Sequence, residues 1–182
     1  MALKLEKKDW LEVIELAVTW IAAMGMFIYG VAKVAQFNGA ADIDTPVSEL
    51  SGQSLMWAFY GYSLSFALII GAIEITGGAL LLFKKTRVLG GLLLTTVLTN
   101  IILQDIFYQV NAGALRAAVI YQLCVCIILF LNRDRLFNAL KQVLAIGPSS
   151  SFNKKRIFIL AVAFFLFVLL RVGEFYISTG GF

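Results

Sequence analysis

Long apolar stretches separated by short polar ones set the rhythm of the chain. Five of them suit membrane-crossing helices: about Leu11 to Phe37, Leu55 to Phe83, Val88 to Tyr108, Ala114 to Leu131 and Arg156 to Ile177. A helical crossing takes roughly 20 residues. No water reaches the bilayer core, so only helices or a closed barrel can span it, and unbroken apolar runs point to helices. The second run is longer than one crossing and predicts a continuous, tilted helix. Between the runs lie an acidic linker, Asn38 to Ser54, a basic turn, Lys84 to Arg87, and a short loop, Gln109 to Gly113. The stretch NRDRLFNALKQVLAI, Asn132 to Ile146, alternates differently. Leu136, Phe137, Leu140, Val143 and Leu144 share one side and the charged residues mostly the other. That pattern fits a helix lying on the bilayer surface, and a soluble linker helix fits it nearly as well. A loop, GPSSSFNKK, follows.

Small and polar residues form stripes at helical spacing. The first run carries Glu15, Ala22, Gly25, Tyr29, Lys33 and Gln36 on one face, and the second Tyr60, Ser63, Ala67, Gly71, Glu74 and Gly78. The third offers Thr96, Asn100 and Gln104, and the fourth Ala114, Ala118, Gln122 and Cys126. Such stripes predict close packing around a shared, partly polar interior. The fifth run is bulky all round until Arg171 and Glu174. The expected architecture is an all-α membrane protein, a four-helix transmembrane bundle with a peripheral fifth transmembrane helix. Its regions are the bundle over residues 1–136, a cytoplasmic amphipathic helix and loop over 132–155, and the added helix over 156–182.

Composition sharpens this. Of 182 residues, 60% are hydrophobic and only 14% charged, against about a quarter charged in soluble domains. Three basic residues precede the first run, three sit in the Lys84–Arg87 turn and six follow the fourth run. Only Lys33, Arg116 and Arg171 of the fifteen fall elsewhere. The excess of Lys and Arg on cytoplasmic loops then places the N-terminus in the cytoplasm and the C-terminus outside a bacterial inner membrane. The net charge of +4 is a topology signal and gives no reason to expect nucleic acid. The basic N-terminus suggests a signal peptide only in its charge, since the run behind it is too long for one.

The absence of histidine removes the usual haem and zinc ligand and the usual proton shuttle. Cys124 and Cys126 point about 200° apart on a helix and cannot pair with each other. No phosphate loop or metal-ligand cluster appears. What remains is Glu74, a carboxylate amid an apolar span, where ionisable groups are rare and mark function by default. Two roles are open: a packing hydrogen bond, or a titrating group. Glu74 and Asn100 both lie roughly 13–20 Å from the cytoplasmic surface. Asn100 is therefore the expected partner of a protonated Glu74, with Tyr29 and Lys33 next. Gln104 and Gln122 complete the expected intramembrane polar site. Lys33, Asp105, Arg116, Arg171 and Glu174 fall toward the outer interface. They are expected either as a charge cluster at an outward mouth or, more so for Arg116 and Arg171, as snorkelling side chains. Trp57, Phe59, Tyr60 and Tyr62 read as an interfacial aromatic belt.

The segments YGVAKVAQF, MWAFYGYSLSF and GAIEITGGALLLFKKTRVLGGLLL, followed by Asn100, resemble the DoxX family of small bacterial membrane proteins. The resemblance covers about Thr19 to Leu136. Gly30, Lys33, Glu74, Gly77, Gly78, Arg87, Gly90 and Asn100 stand at its motif positions, and it assigns none of them a catalytic role. It implies an accessory integral-membrane subunit of a larger envelope or redox complex, working with protein partners. The expected occupant of its pocket is a quinone or a lipid, with no cofactor certain. Two other readings stay open: a small carrier using Glu74 as its titrating group, and an assembly factor without a ligand.

Overall fold

The computed structural model describes residues 5–145 and 153–179. Most of the described residues are helical, and there is no strand among them. They form two compact units, one ending at Gln142 and the other beginning at Val143. Five helices are long and apolar enough to cross a membrane.

Four of these belong to the first unit: α1 (Lys7–Gln36), α3 (Leu64–Leu82), α4 (Arg87–Phe107) and α5 (Ala112–Leu131). A shorter α2 (Gly52–Tyr62) precedes α3, and α6 (Arg133–Val143) follows α5. The long helices close into a ring in which α1 and α4 each pack between α3 and α5. Their ends are set by short polar side chains. Ser51 Oγ accepts from Ser54 N at the start of α2, and Asn111 Oδ1 accepts from Gly113 N at the start of α5. Such caps satisfy amide groups that have no partner within the helix. Thr86 Oγ1 donates to Leu80 O and folds the turn between α3 and α4 back on itself.

One predicted element is corrected. The second apolar run is not continuous but breaks at Ser63, whose backbone is extended and whose Oγ accepts from Phe66 N. The reason lies in length. The 19 residues of α3 rise about 28 Å and already cross the hydrocarbon core. The break therefore falls near the polar boundary, where freed backbone groups can be hydrated, and α2 is a separate helix leading into the crossing.

Close helix approach is built from glycine. An added Cβ at Gly30 would sit 2.6 Å from Gly71 O, and one at Gly71 would sit 2.5 Å from Gly30 O. Here α1 and α3 meet backbone to backbone. Gly25 of α1 likewise admits the Tyr121 ring of α5. Two apolar clusters flank this region. The larger includes Ala22, Met26, Leu81, Leu94, Leu98, Val125 and Ile128, and the smaller is Phe37, Met56, Tyr60 and Ala67.

α6 lies within the stretch read as amphipathic; none of its side chains is buried, and Phe137, Leu140 and Val143 are exposed. In the second unit, α7 (Lys154–Thr179) is the fifth apolar helix, and none of its described side chains is buried. Lys4, Ile146 and the loop residues 147–152 lie outside the described residues.

The glycine contact leads to a first prediction. Gly71→Ala should destabilise the bundle by about 1–3 kcal/mol, since a methyl group is forced against backbone. Gly173, with nothing within 4 Å of an added Cβ, should tolerate alanine without loss. Thermal unfolding of both variants in detergent checks the contrast, and equal melting temperatures would refute it.

Candidate functional site

Across the Gly30–Gly71 crossing, the Lys33 stem lies over Gly71, where an added Cβ would be 3.1 Å from Lys33 Cγ. α1 and α3 are consecutive crossings and run antiparallel, so Glu74 sits a turn further along, toward the Glu15 end. Lys33 reaches back along α3 and sets its Nζ 3.2 Å from Glu74 Oε1. The two side chains are 7% and 0% exposed. A cation and a carboxylate so deep in a bundle hold each other. Either one alone would bear a desolvation cost that nothing repays.

This corrects the expected pairing of Glu74 with Asn100. Depth along the backbone sets the Lys33 Cα too far outward, but its side chain is long enough to cover the difference. Asn100 is on an exposed part of α4, where its Oδ1 accepts from Gln104 Nε2 at 2.8 Å. Gln104 also meets the hydroxyl of Tyr60. Tyr29 stands within electrostatic reach of Glu74 and Asp105 and packs edge-on against Tyr121. Gln122 Nε2 donates to Cys126 Sγ on its own helix, and among the described residues its buried Oε1 has no hydrogen-bond partner.

The pair faces a cavity of about 490 Å³, which Tyr29, Asn100, Gln104 and Asp105 also line. Asp105 is another correction. It is buried, 7% exposed, within electrostatic reach of Lys33, and belongs to this cavity and not to an outer charge cluster. Arg116, Arg171 and Glu174 each have a partner on their own helix. Arg116 donates to Ala112 O, one turn back on its own helix, and Arg171 pairs with Glu174 within α7. The aromatic belt is in part the cavity wall. Phe66, Tyr60 and Phe37 form a stack of rings with Trp57 edge-on against Phe37, and Tyr60 is buried. Tyr62 alone of the four predicted belt residues is fully outward, at 87% exposure. The break at Ser63 explains the difference, because it lets α2 lean its aromatic side over the bundle.

Three polar atoms at this cavity are buried and have no hydrogen-bond partner among the described residues besides the ion contact of Glu74: Glu74 Oε2, Asp105 Oδ2 and Trp57 Nε1. Buried polar groups are rarely left so. No group of three or more metal-ligating side chains occurs among the described residues.

A second polar centre went unread in the sequence. At the opposite end of the ring, Arg87 is buried at the start of α4. It donates through Nε to Leu81 O at 2.9 Å and through Nη1 to Glu15 Oε1 at 2.7 Å. Asn132 Nδ2 donates to the same Glu15 oxygen at 2.8 Å. One cation thus closes the carbonyl end of α3, favourable for the helix dipole, and ties together α1, α4 and the end of α5. Arg135 Nη1 reaches Lys84 O, and Lys84 pairs with Glu12, so the basic turn and the start of α6 gather at this end too. The available signal was Glu15 itself, a carboxylate within an apolar helix that needs a cation at its own depth.

Among known proteins, the chain is 31% identical over 122 residues to the uncharacterized protein YwoB of Bacillus subtilis strain 168. The matched stretch is 66% of this chain and 77% of that relative. The chain belongs to the YwoB family. No family model and no solved structure matches it.

The ion pair sets the second prediction. Glu74→Gln leaves a buried ammonium without its counter-charge and should cost about 3–5 kcal/mol, whereas Lys33→Met combined with Glu74→Gln should recover most of that loss. Melting temperatures of the two variants decide. A single variant as stable as the native protein would show that the pair carries no weight.

Proposed function

We propose that this protein is an accessory integral-membrane subunit that holds a small amphipathic molecule inside its helical bundle. The observation that carries the reading is the cavity of about 490 Å³, walled by stacked aromatics and floored by a buried ion pair, with unpartnered polar atoms facing it. Structural bundles have no need of such a space, and ligand sites combine mostly apolar walls with a few placed polar groups. The resemblance to DoxX proteins supports a place in an envelope or redox complex with protein partners, and makes a quinone or lipid the expected occupant. α1, α3, α4 and α5 form the working bundle, and α7 is a peripheral fifth crossing. The gathering of Lys84, Arg87, Arg133 and Arg135 at one end supports a cytoplasmic N-terminus and an extracytoplasmic C-terminus in a bacterial inner membrane.

Native mass spectrometry of the full chain released from nanodiscs tests the pocket. A small molecule or lipid should stay bound to the native protein and be lost from Ile70→Trp, which fills the cavity wall. A native protein that flies bare would end this reading. A carrier remains the second function to test, favoured by the buried ionisable pair Lys33–Glu74 at the cavity. Substrate flux by the isolated protein in proteoliposomes would select it.

Orientation has its own measurement. In intact cells, an impermeant thiol reagent should label Ser48→Cys in the acidic linker and spare Lys85→Cys in the basic turn. The opposite pattern inverts the topology.

A further inference from the structure

The unmet groups of the cavity lean to one sign. Its charged lining residues are Lys33, Glu74 and Asp105, one cation against two carboxylates. Lys33 is engaged by Glu74. The hydroxyl of Tyr60 and the amide of Gln104 use their hydrogen bonds on each other, and Gln104 also holds Asn100. Left over are two buried carboxylate oxygens, Glu74 Oε2 and Asp105 Oδ2, and one donor, Trp57 Nε1. Counted with both carboxylates ionised, the charged lining sums to −1, and the fully buried atoms left without a partner are two acceptors and one donor.

The geometry points to an organic ammonium bearing at least one N–H, with an apolar or aromatic body, as the ligand of this cavity. The inference rests on the reading of the cavity as a ligand site and names the chemistry that site would take. An ammonium supplies both missing elements, since its charge offsets Asp105 and its N–H groups donate to the two carboxylates. Its apolar body would lie against the stack of Phe37, Tyr60 and Phe66, while nearby aromatic rings favour the cation itself. The site already shows this: the Lys33 ammonium lies 5.9 Å from the ring centres of Tyr29 and Phe37. Other occupants fit less well. An anion would face two carboxylates. A neutral acceptor such as a quinone would find donors but leave both carboxylate oxygens unmet. Ordered water would meet the oxygens but leave the charge. The ammonium has two sources, a free amine or the head group of an amino-phospholipid at the lipid-facing side of the cavity.

The test uses the full chain in nanodiscs of phosphatidylglycerol, with empty nanodiscs as reference, and calorimetric titration of three molecules of like shape: 2-phenylethylamine, 2-phenylethanol and phenylacetate. The amine should bind at least about tenfold tighter than the alcohol, with phenylacetate weakest, as a charge-assisted hydrogen bond warrants. Asp105→Asn should lower amine affinity by about tenfold and leave the alcohol unchanged, while Asp105→Glu should stay within about threefold of native. If Asp105→Asn does not fold, the ranking of the three molecules on the native protein decides alone. Equal affinity for alcohol and amine, both abolished by Ile70→Trp, would overturn the ammonium and leave the ligand site standing. Binding of none of the three would overturn both. Adding phosphatidylethanolamine separates the sources: competition with the amine identifies a lipid head group, and its absence a free amine.

Discussion

The contact of α1 with α3 at Gly30 and Gly71 is what the other features of the bundle depend on. Lipid tails are as apolar as leucine, so helices in a membrane are not driven together by burial as in water. They associate through close packing and polar contacts. Both are concentrated here. The glycines bring the two backbones into touch, and that distance lets the Lys33 side chain lie along α3 and reach Glu74. A wider gap would leave the ammonium short of the carboxylate, and two uncompensated charges would stand in an apolar interior. Packing and ion pair are thus one device, because the first makes the second affordable.

The two ends of the bundle are treated differently. At the Glu15 end, Arg87 satisfies carbonyls of α3 and shares Glu15 with Asn132, so the charged groups there are partnered and the helices are tied. Near the Lys33 end, a ring stack joins the Lys33–Glu74 pair and the Tyr60–Gln104 bonds, and the polar atoms between are left partly unmet. A buried polar network that is fully satisfied rigidifies its surroundings, and a partly satisfied one is costly as it stands. The closed end holds the fold, and the open end is where a further molecule has something to add.

How much of this could be read from the residues follows from what each signal depends on. Helix number and approximate bounds rest on hydropathy, a local property summed over many residues, and the five apolar runs reappear as long helices. The stripes on α1 and α3 gave the inward faces because small residues repeat at helical spacing: Ala22, Gly25 and Lys33, with Ala67, Gly71 and Glu74, are buried. The break at Ser63 was invisible to hydropathy, since Tyr62 and Leu64 are both apolar enough to continue a span. Its trace was a serine two residues after a glycine, a weak local signal. The partner of Glu74 was missed because depth was counted along the backbone, whereas lysine adds several ångströms of its own. Arg87 and Glu15 were missed for a related reason. A basic turn reads as solvated, and only the three-dimensional ring shows one of its charges turned inward.

The same charge count that shapes the cavity bears on how stable the bundle is when empty. Lys33 is the single cation shared by Glu74 and Asp105. It touches Glu74, so whatever it contributes to Asp105 acts across a longer distance and is weaker. An occupant that brings a positive charge would complete the set, and binding only to the folded protein it would stabilise the fold by RT ln(1 + [L]/Kd). Under that reading, stability and occupancy are linked through Asp105 while the Arg87–Glu15–Asn132 end is unaffected. The loosening of the unliganded bundle would then concentrate in α2 and the start of α3, which carry Tyr60 and Phe66 of the ring stack at the cavity.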